Sequence, residues 1–172
     1  MKDKRKEVPS MTEAEFLPLF DQYHNMVYRL ALTSLRSAHD AEDMVQTVFL
    51  KLLSSPSPPA PGKEKAWLAQ VTVNGCRDLA RSRRRWGWEP LDENIPFSQP
   101  EESALFQAVM ALPEKLRVTV HLHYYEGYSH REIAQILHIS PSAVSMRLHR
   151  ARNLLRNSLK EDGYGPAISE PF

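Results

Sequence analysis

Between Ser140 and Lys160 the chain carries Arg147, Arg150, Arg152, Arg156 and Lys160 and not one acid. Ser142, Ser145, Met146, His149 and Asn153 are interleaved with these cations, and all but Met146 can donate to a phosphate oxygen or a base edge. A solvated helix face normally mixes both signs; one that is purely cationic repels itself unless an anion lies against it. The chemistry open to this set is recognition of a polyanion, with no nucleophile or general base required. A second basic tract, RDLARSRRRWGW, sets Trp86 and Trp88 beside arginines. That mixture suits phosphate contact with base stacking. It equally suits a helix C-terminus complemented by cations, with the tryptophans packed over a domain edge.

The elements that must position these residues are legible around them. Ser129 followed by Glu132 is a capping box that opens a short helix over 130–137, and Ser140 with Pro141 is an N-cap and first-turn pair that opens a longer one. Two helices across so short a connection form a helix-turn-helix. Ile133, Ala134 and Leu137 face inward from the first helix, Ile139 plugs the turn, and Val144, Leu148, Ala151 and Leu155 form the core stripe of the second. His138 falls where a left-handed residue is expected, a conformation His tolerates better than most non-glycine types.

Upstream, residues 13–35 place Phe16, Leu19, Phe20, Tyr23, Val27, Leu30 and Ala31 three and four apart, the period of one buried helix face. DAEDMVQTVFLKLL reads as a second helix whose carboxylates lie near the positive end of its dipole; the prolines of 54–62 forbid its continuation. A third helix runs from about Glu64 to Arg85, burying Trp67 or Leu68, Val71, Gly75 and Leu79, and Gly87 stops it. Residues 87–100, acidic and containing Pro90, Pro96 and Pro100, read as a linker. Beyond it Ser98 and Glu101 have capping-box spacing, Pro113 starts a further helix and Gly127 ends it. The expected fold is all-α: two small helical domains, 11–86 and 101–160, joined by the acidic linker, with a flexible tail over 161–172.

Composition narrows the function classes. The net charge is only +1, so any nucleic-acid argument rests on where the charges lie. Cys76, the single cysteine, cannot form an internal disulfide, and the cysteine pairs of structural zinc sites are lacking, which fits a reducing, cytoplasmic setting. No signal-type N-terminus and no apolar run near the roughly 20 residues that span a bilayer is found, so membrane insertion is not expected. The seven histidines and the cluster Asp40, Glu42, Asp43 suggest a metalloenzyme only superficially. His121 and His123 diverge on a helix, the others lack HExxH-type neighbours, and each histidine is read as a surface or DNA-face residue. No catalytic, metal or cofactor site is expected.

Taken together, DAEDMVQTVFLKLL, AWLAQVTVNGCRDLARSRRR and ALPEKLRVTVHLHYYEGYSHREIAQILHISPSAVSMRLHRARNLLR resemble, in order and separation, the extracytoplasmic-function (ECF) sigma factors of bacterial RNA polymerase. The resemblance spans nearly the whole chain. It implies a first domain that docks on the polymerase clamp and captures the opened downstream promoter element, and a second that reads the upstream element. Asp43 and Gln46 match polymerase-contacting positions; Asn74 matches an asparagine near a flipped base, with Arg77, Arg81 and Arg84 on the basic side of that helix. Ser142, Ser145, Met146, Arg147, His149, Arg150 and Arg152 fall on the recognition helix, with Arg150 the foremost contact. Ser145 and Met146 depart from the residues common there, so no promoter sequence carries over, and the proline-rich 54–62 loop weakens transfer of downstream specificity. Core polymerase, promoter DNA and an anti-sigma factor are the implied partners. The rival is a dimeric helix-turn-helix regulator, which would favour palindromic sites and would have no use for Asn74 and a basic tract on one N-terminal helix.

Overall fold

A computed structural model describes residues 11–87 and 100–161, with side chains described except over 100–104 and at 161. The described residues form seven helices: α1 (Glu13–Leu35), α2 (Ala38–Leu53), α3 (Glu64–Arg85), α4 (Pro100–Ala111), α5 (Glu114–Val120, continuing as a π-helical turn over His121–Tyr125), α6 (His130–Leu137) and α7 (Pro141–Glu161). The expected capping box at Ser98 and Glu101 lies outside these residues.

Local chemistry accounts for most boundaries. The Thr12 hydroxyl accepts from the Glu15 amide while the Glu15 carboxylate takes the Thr12 N–H, so α1 begins on a reciprocal cap. Helix α2 begins earlier than its carboxylates suggest. Ser37 caps it by accepting from the Asp40 amide, which leaves Asp40 in the first turn with its side chain directed elsewhere. Gly87 follows α3 at φ +70°, and Gly127 follows the π-helical turn at φ +74°, both in the left-handed region where a side chain is strained. In that turn the Glu126 N–H reaches the His121 carbonyl five residues back.

Helices α1–α3 pack around Val27, Leu30, Val48, Leu52 and Leu68; α4–α7 pack around Leu122, Ile133, Val144 and Ala151, and the apolar cluster runs on from one group into the other. Gly75 allows the close approach of α2 to α3, since a Cβ there would meet Met44 Sδ at 2.7 Å. Cys76 is fully buried, and burial pushes its thiol up to about 12, so it is chemically quiet.

The two groups also share polar contacts. Arg117, 4% exposed, donates to the Met110 and Leu112 carbonyls of its own half and to Thr33 and Ser34 carbonyls at the end of α1. A guanidinium there complements the negative end of the α1 dipole. His121, expected at the surface, is instead buried: its Nδ1 lies 3.1 Å from Thr33 Oγ1 and its Nε2 lies 3.4 Å from Glu126. Arg29 (3.4 Å) and Lys65 (3.7 Å) reach the same carboxylate from α1 and α3. Burial pushes the Glu126 carboxyl up, but His121, Arg29 and Lys65 outweigh it and hold the group below the ordinary glutamate value.

Candidate nucleic-acid interface

The helix-turn-helix is held by both of its expected caps. Ser129 and Glu132 cap α6 reciprocally, and Ser140 Oγ accepts from the Ala143 amide at the start of α7. His138 ends α6 at φ 55°, ψ 49°, the left-handed conformation that its position requires. With Val144, Leu148 and Ala151 buried against α6 and α5, the opposite side of α7 faces outward. Ser142, Ser145, His149 and Arg150 are exposed there, and Met146 is 70% exposed. Ser145 is tied to His130 Nδ1 (3.0 Å), and His149 lies 3.2 Å from the Asn153 amide, so several donors are already oriented. Arg147 and Arg152 differ from this group in being half-buried on its flanks. Burial holds the Arg147 guanidinium below its ordinary value, the nearby positive Arg77 adds to this, and its Nη1 is enclosed without a hydrogen-bond partner.

On α3 the candidate residues separate in the same way. Arg81 and Arg84 are exposed; Arg81 lies 3.6 Å from Asp78 and Arg84 bonds back to the Ala80 carbonyl. Asn74 and Arg77 are half-buried, and Arg77 donates to the Leu137 carbonyl at the end of α6 (3.3 Å), near where Gln70 meets His138 (3.0 Å). The turn of the helix-turn-helix thus rests on α3. Arg83 is not a free cation: both its terminal nitrogens donate to Asp40 at 2.6 Å. That bidentate bond, more than any capping role, explains Asp40, whose carboxyl it holds below the ordinary aspartate range. Sequence reasoning missed the pair because Asp40 lies 43 residues from Arg83, on another helix, with no local signal joining them.

Asp43 and Gln46 are both exposed on α2, as a docking role requires. Leu50, one further turn along, is 63% exposed and was not singled out beforehand; its signal is an apolar residue seven positions after Asp43, off the core stripe of Met44, Val48 and Leu52. Among the described residues no group of His, Cys, Asp and Glu is arranged to hold a metal ion, and no helix is long and apolar enough to cross a membrane.

Two family models match: "Sigma-70 region 2" over residues 19–86 and "Sigma-70, region 4" over residues 103–155. Mycobacterium tuberculosis (strain H37Rv) ECF RNA polymerase sigma factor SigM is 30% identical over 84% of this chain and 76% of its own length. The chain belongs to the ECF sigma factors. Further ECF relatives are SigE of Mycolicibacterium smegmatis, 32% identical over 82% of this chain, and SigW of Bacillus subtilis, 26% identical over 94%. This sigma factor spans 60% of the length of SigE and 97% of that of SigW. Among solved structures, the sigma factor RpoE of Bartonella quintana, in complex with the anti-sigma factor NepR, has the same fold (TM-score 0.76, 24% identity, 86% of this chain and 98% of that one). CnrH in complex with the cytosolic domain of CnrY is similar as well (TM-score 0.65, 25% identity, 88% and 91%). In the sigma factor's own terms, α1–α3 supply region 2 and α4–α7 supply region 4.

Proposed function

We propose that this sigma factor binds bacterial core RNA polymerase in the cytoplasm and directs it to promoters, with no catalytic activity of its own. The observation that carries the reading is the outward face of α7, mostly polar, without an acid from Ser140 to Lys160 and mounted on a doubly capped helix-turn-helix, in one chain with the region 2 helices. Ser142, Ser145, Met146, His149 and Arg150 read or position the upstream element, with Arg147 and Arg152 reaching phosphates from the flanks. Asn74, Arg77, Arg81 and Arg84 take the opened downstream strand, and Asp43 and Gln46, with Leu50 beside them, dock on the polymerase. Residues 11–86 and 101–160 act as separate domains once bound, joined through 87–100. Two structural relatives are each bound to another protein, RpoE to the anti-sigma factor NepR and CnrH to the cytosolic domain of CnrY; a comparable inhibitory partner is proposed here.

The physics of such a factor is binding alone. Phosphate contacts supply salt-sensitive affinity, and each good base contact adds roughly 1–3 kcal/mol of discrimination. The test is to add the purified chain to core polymerase lacking any sigma factor and to assay complex formation and RNA synthesis from a genomic fragment library. A stable complex with a defined class of start sites is the expected result. Tight binding to palindromic DNA without polymerase association would overturn it in favour of the dimeric regulator.

A further inference from the structure

The Nη1 nitrogen of Arg147 is enclosed, yet no acceptor lies within hydrogen-bonding reach of it. A guanidinium N–H shut away from water without an acceptor loses a charge-assisted bond outright, which costs more than the same loss at a neutral donor. Its electrical surroundings make this worse. Burial already disfavours the charge, and among the described residues the group that acts on it is Arg77, also positive.

The two arginines come from different halves of the molecule, Arg147 from α7 and Arg77 from α3, and both are half-buried. Arg77 stands at the seam between the halves, where its Nη1 donates to the Leu137 carbonyl (3.3 Å). The face of α3 turned to that seam carries Gln70, Asn74 and Arg77, spaced four and three apart, and no acid. Gln70 meets His138 across it (3.0 Å). Asp78 follows Arg77 in the chain but is exposed and lies 3.6 Å from Arg81, and α7 has no carboxylate before Glu161. A half-buried cation thus faces a second cation with no counter-ion from the chain.

What would complete the seam follows from those two deficits. A water molecule could accept from Nη1 but would leave the positive charges facing each other. An oxyanion supplies acceptor and charge together, and its oxygens match the planar guanidinium fork. A tetrahedral ion has oxygens for two such groups at once. The Leu137 carbonyl takes only Nη1 of Arg77, so a small ion can be met by the remaining nitrogens without breaking that bond.

We propose that a phosphate-class oxyanion binds between Arg77 and Arg147 and bridges the region 2 helices to the region 4 helices. The site goes beyond the sigma reading and needs neither polymerase nor promoter. For that reading its consequence is occupancy: both arginines are placed above on DNA phosphates, and a bound ion withdraws them while fastening the two groups together.

The test follows amide exchange in α6 of the full chain, in chloride and in about 10 mM inorganic phosphate at equal ionic strength, with a short DNA duplex as a separate arm. Phosphate is expected to slow exchange about 5- to 10-fold in the wild type, the effect of a ligand at several times its dissociation constant. Arg77→Gln and Arg147→Gln should each lose the effect, and Lys160→Gln, exposed at the far end of α7, should keep it. In chloride alone Arg147→Gln should exchange no faster than the wild type, because it removes a repulsion; faster exchange would mean that Arg147 holds the seam unaided and overturns the proposal. Protection by phosphate that persists in both glutamine variants overturns it as well, as a general salt effect. So does protection by the duplex with none from phosphate, which would leave both arginines to DNA alone.

Discussion

Individual side chains with the same name do different work in this chain. Arg83 and Arg84 are neighbours on one helix, yet one is bound by two 2.6 Å bonds to Asp40 and the other is exposed. Removing the Asp40 charge with Asp40→Asn is expected to cost about 1.5–3 kcal/mol of folding stability near neutral pH, read from urea unfolding midpoints. Because pairing lowers the folded-state pKa of Asp40, its contribution is fully present above the unfolded value of about 3.9 and is lost as pH falls through the folded value. The gap between wild type and Asp40→Asn should therefore close when the unfolding is repeated at low pH. Arg150, by contrast, is exposed on the outer face of α7. Arg150→Ala should leave the unfolding midpoint within about 0.5 kcal/mol of wild type. In holoenzyme binding to a promoter fragment it should lower affinity by about 1–3 kcal/mol, and unchanged affinity would remove Arg150 from the contact set.

Helices were the most legible level of the structure, because their signals are local. The Ser129–Glu132 box, the Ser140–Pro141 start and Gly127 each stand within a few residues of the boundary they create, and each is found in place. The start of α2 was less legible, since its cap, Ser37, lies within a polar run and the carboxylates drew attention further along. The π-helical turn has no local signal at all; its extra residue is accommodated by tertiary contacts of His121 and Glu126 with α1 and α3. His138 offers a test at this scale. It holds a left-handed conformation at a cost that glycine would avoid, against the loss of one exposed hydrogen bond to Gln70. His138→Gly is expected to raise stability by roughly 0.5–1 kcal/mol in urea unfolding, and a decrease would show that the Gln70 bond outweighs backbone strain.

For the whole molecule, contacts between the two helical groups join residues distant in sequence, such as Arg29 with Glu126 and Thr33 with His121, and so have no periodicity to read. These contacts also explain why the candidate interface was only partly foreseen. Exposure of Arg150 or Arg84 follows from the helical repeat, whereas the half-burial of Arg77 depends on α6 coming to rest on α3. The ion pairs around Glu126 have partly exposed cationic ends and are each worth up to about 1 kcal/mol. Replacing Arg29 and Lys65 together by alanine should speed amide exchange in α5 and α6 about 5- to 30-fold while leaving α2 unaffected; uniform acceleration would indicate global destabilisation instead. The placement of Arg77 carries a thermodynamic consequence. Were it to leave the Leu137 carbonyl for a phosphate, as the proposed strand contact would allow, binding along α3 would be linked to loosening of the contact between α3 and α6. Were the packed arrangement to hold 99 molecules in 100, a strand needing the separated form would measure about 100-fold weaker than its intrinsic affinity. By the same linkage, any ligand that prefers separation, DNA or polymerase, strengthens the binding of the other without touching it.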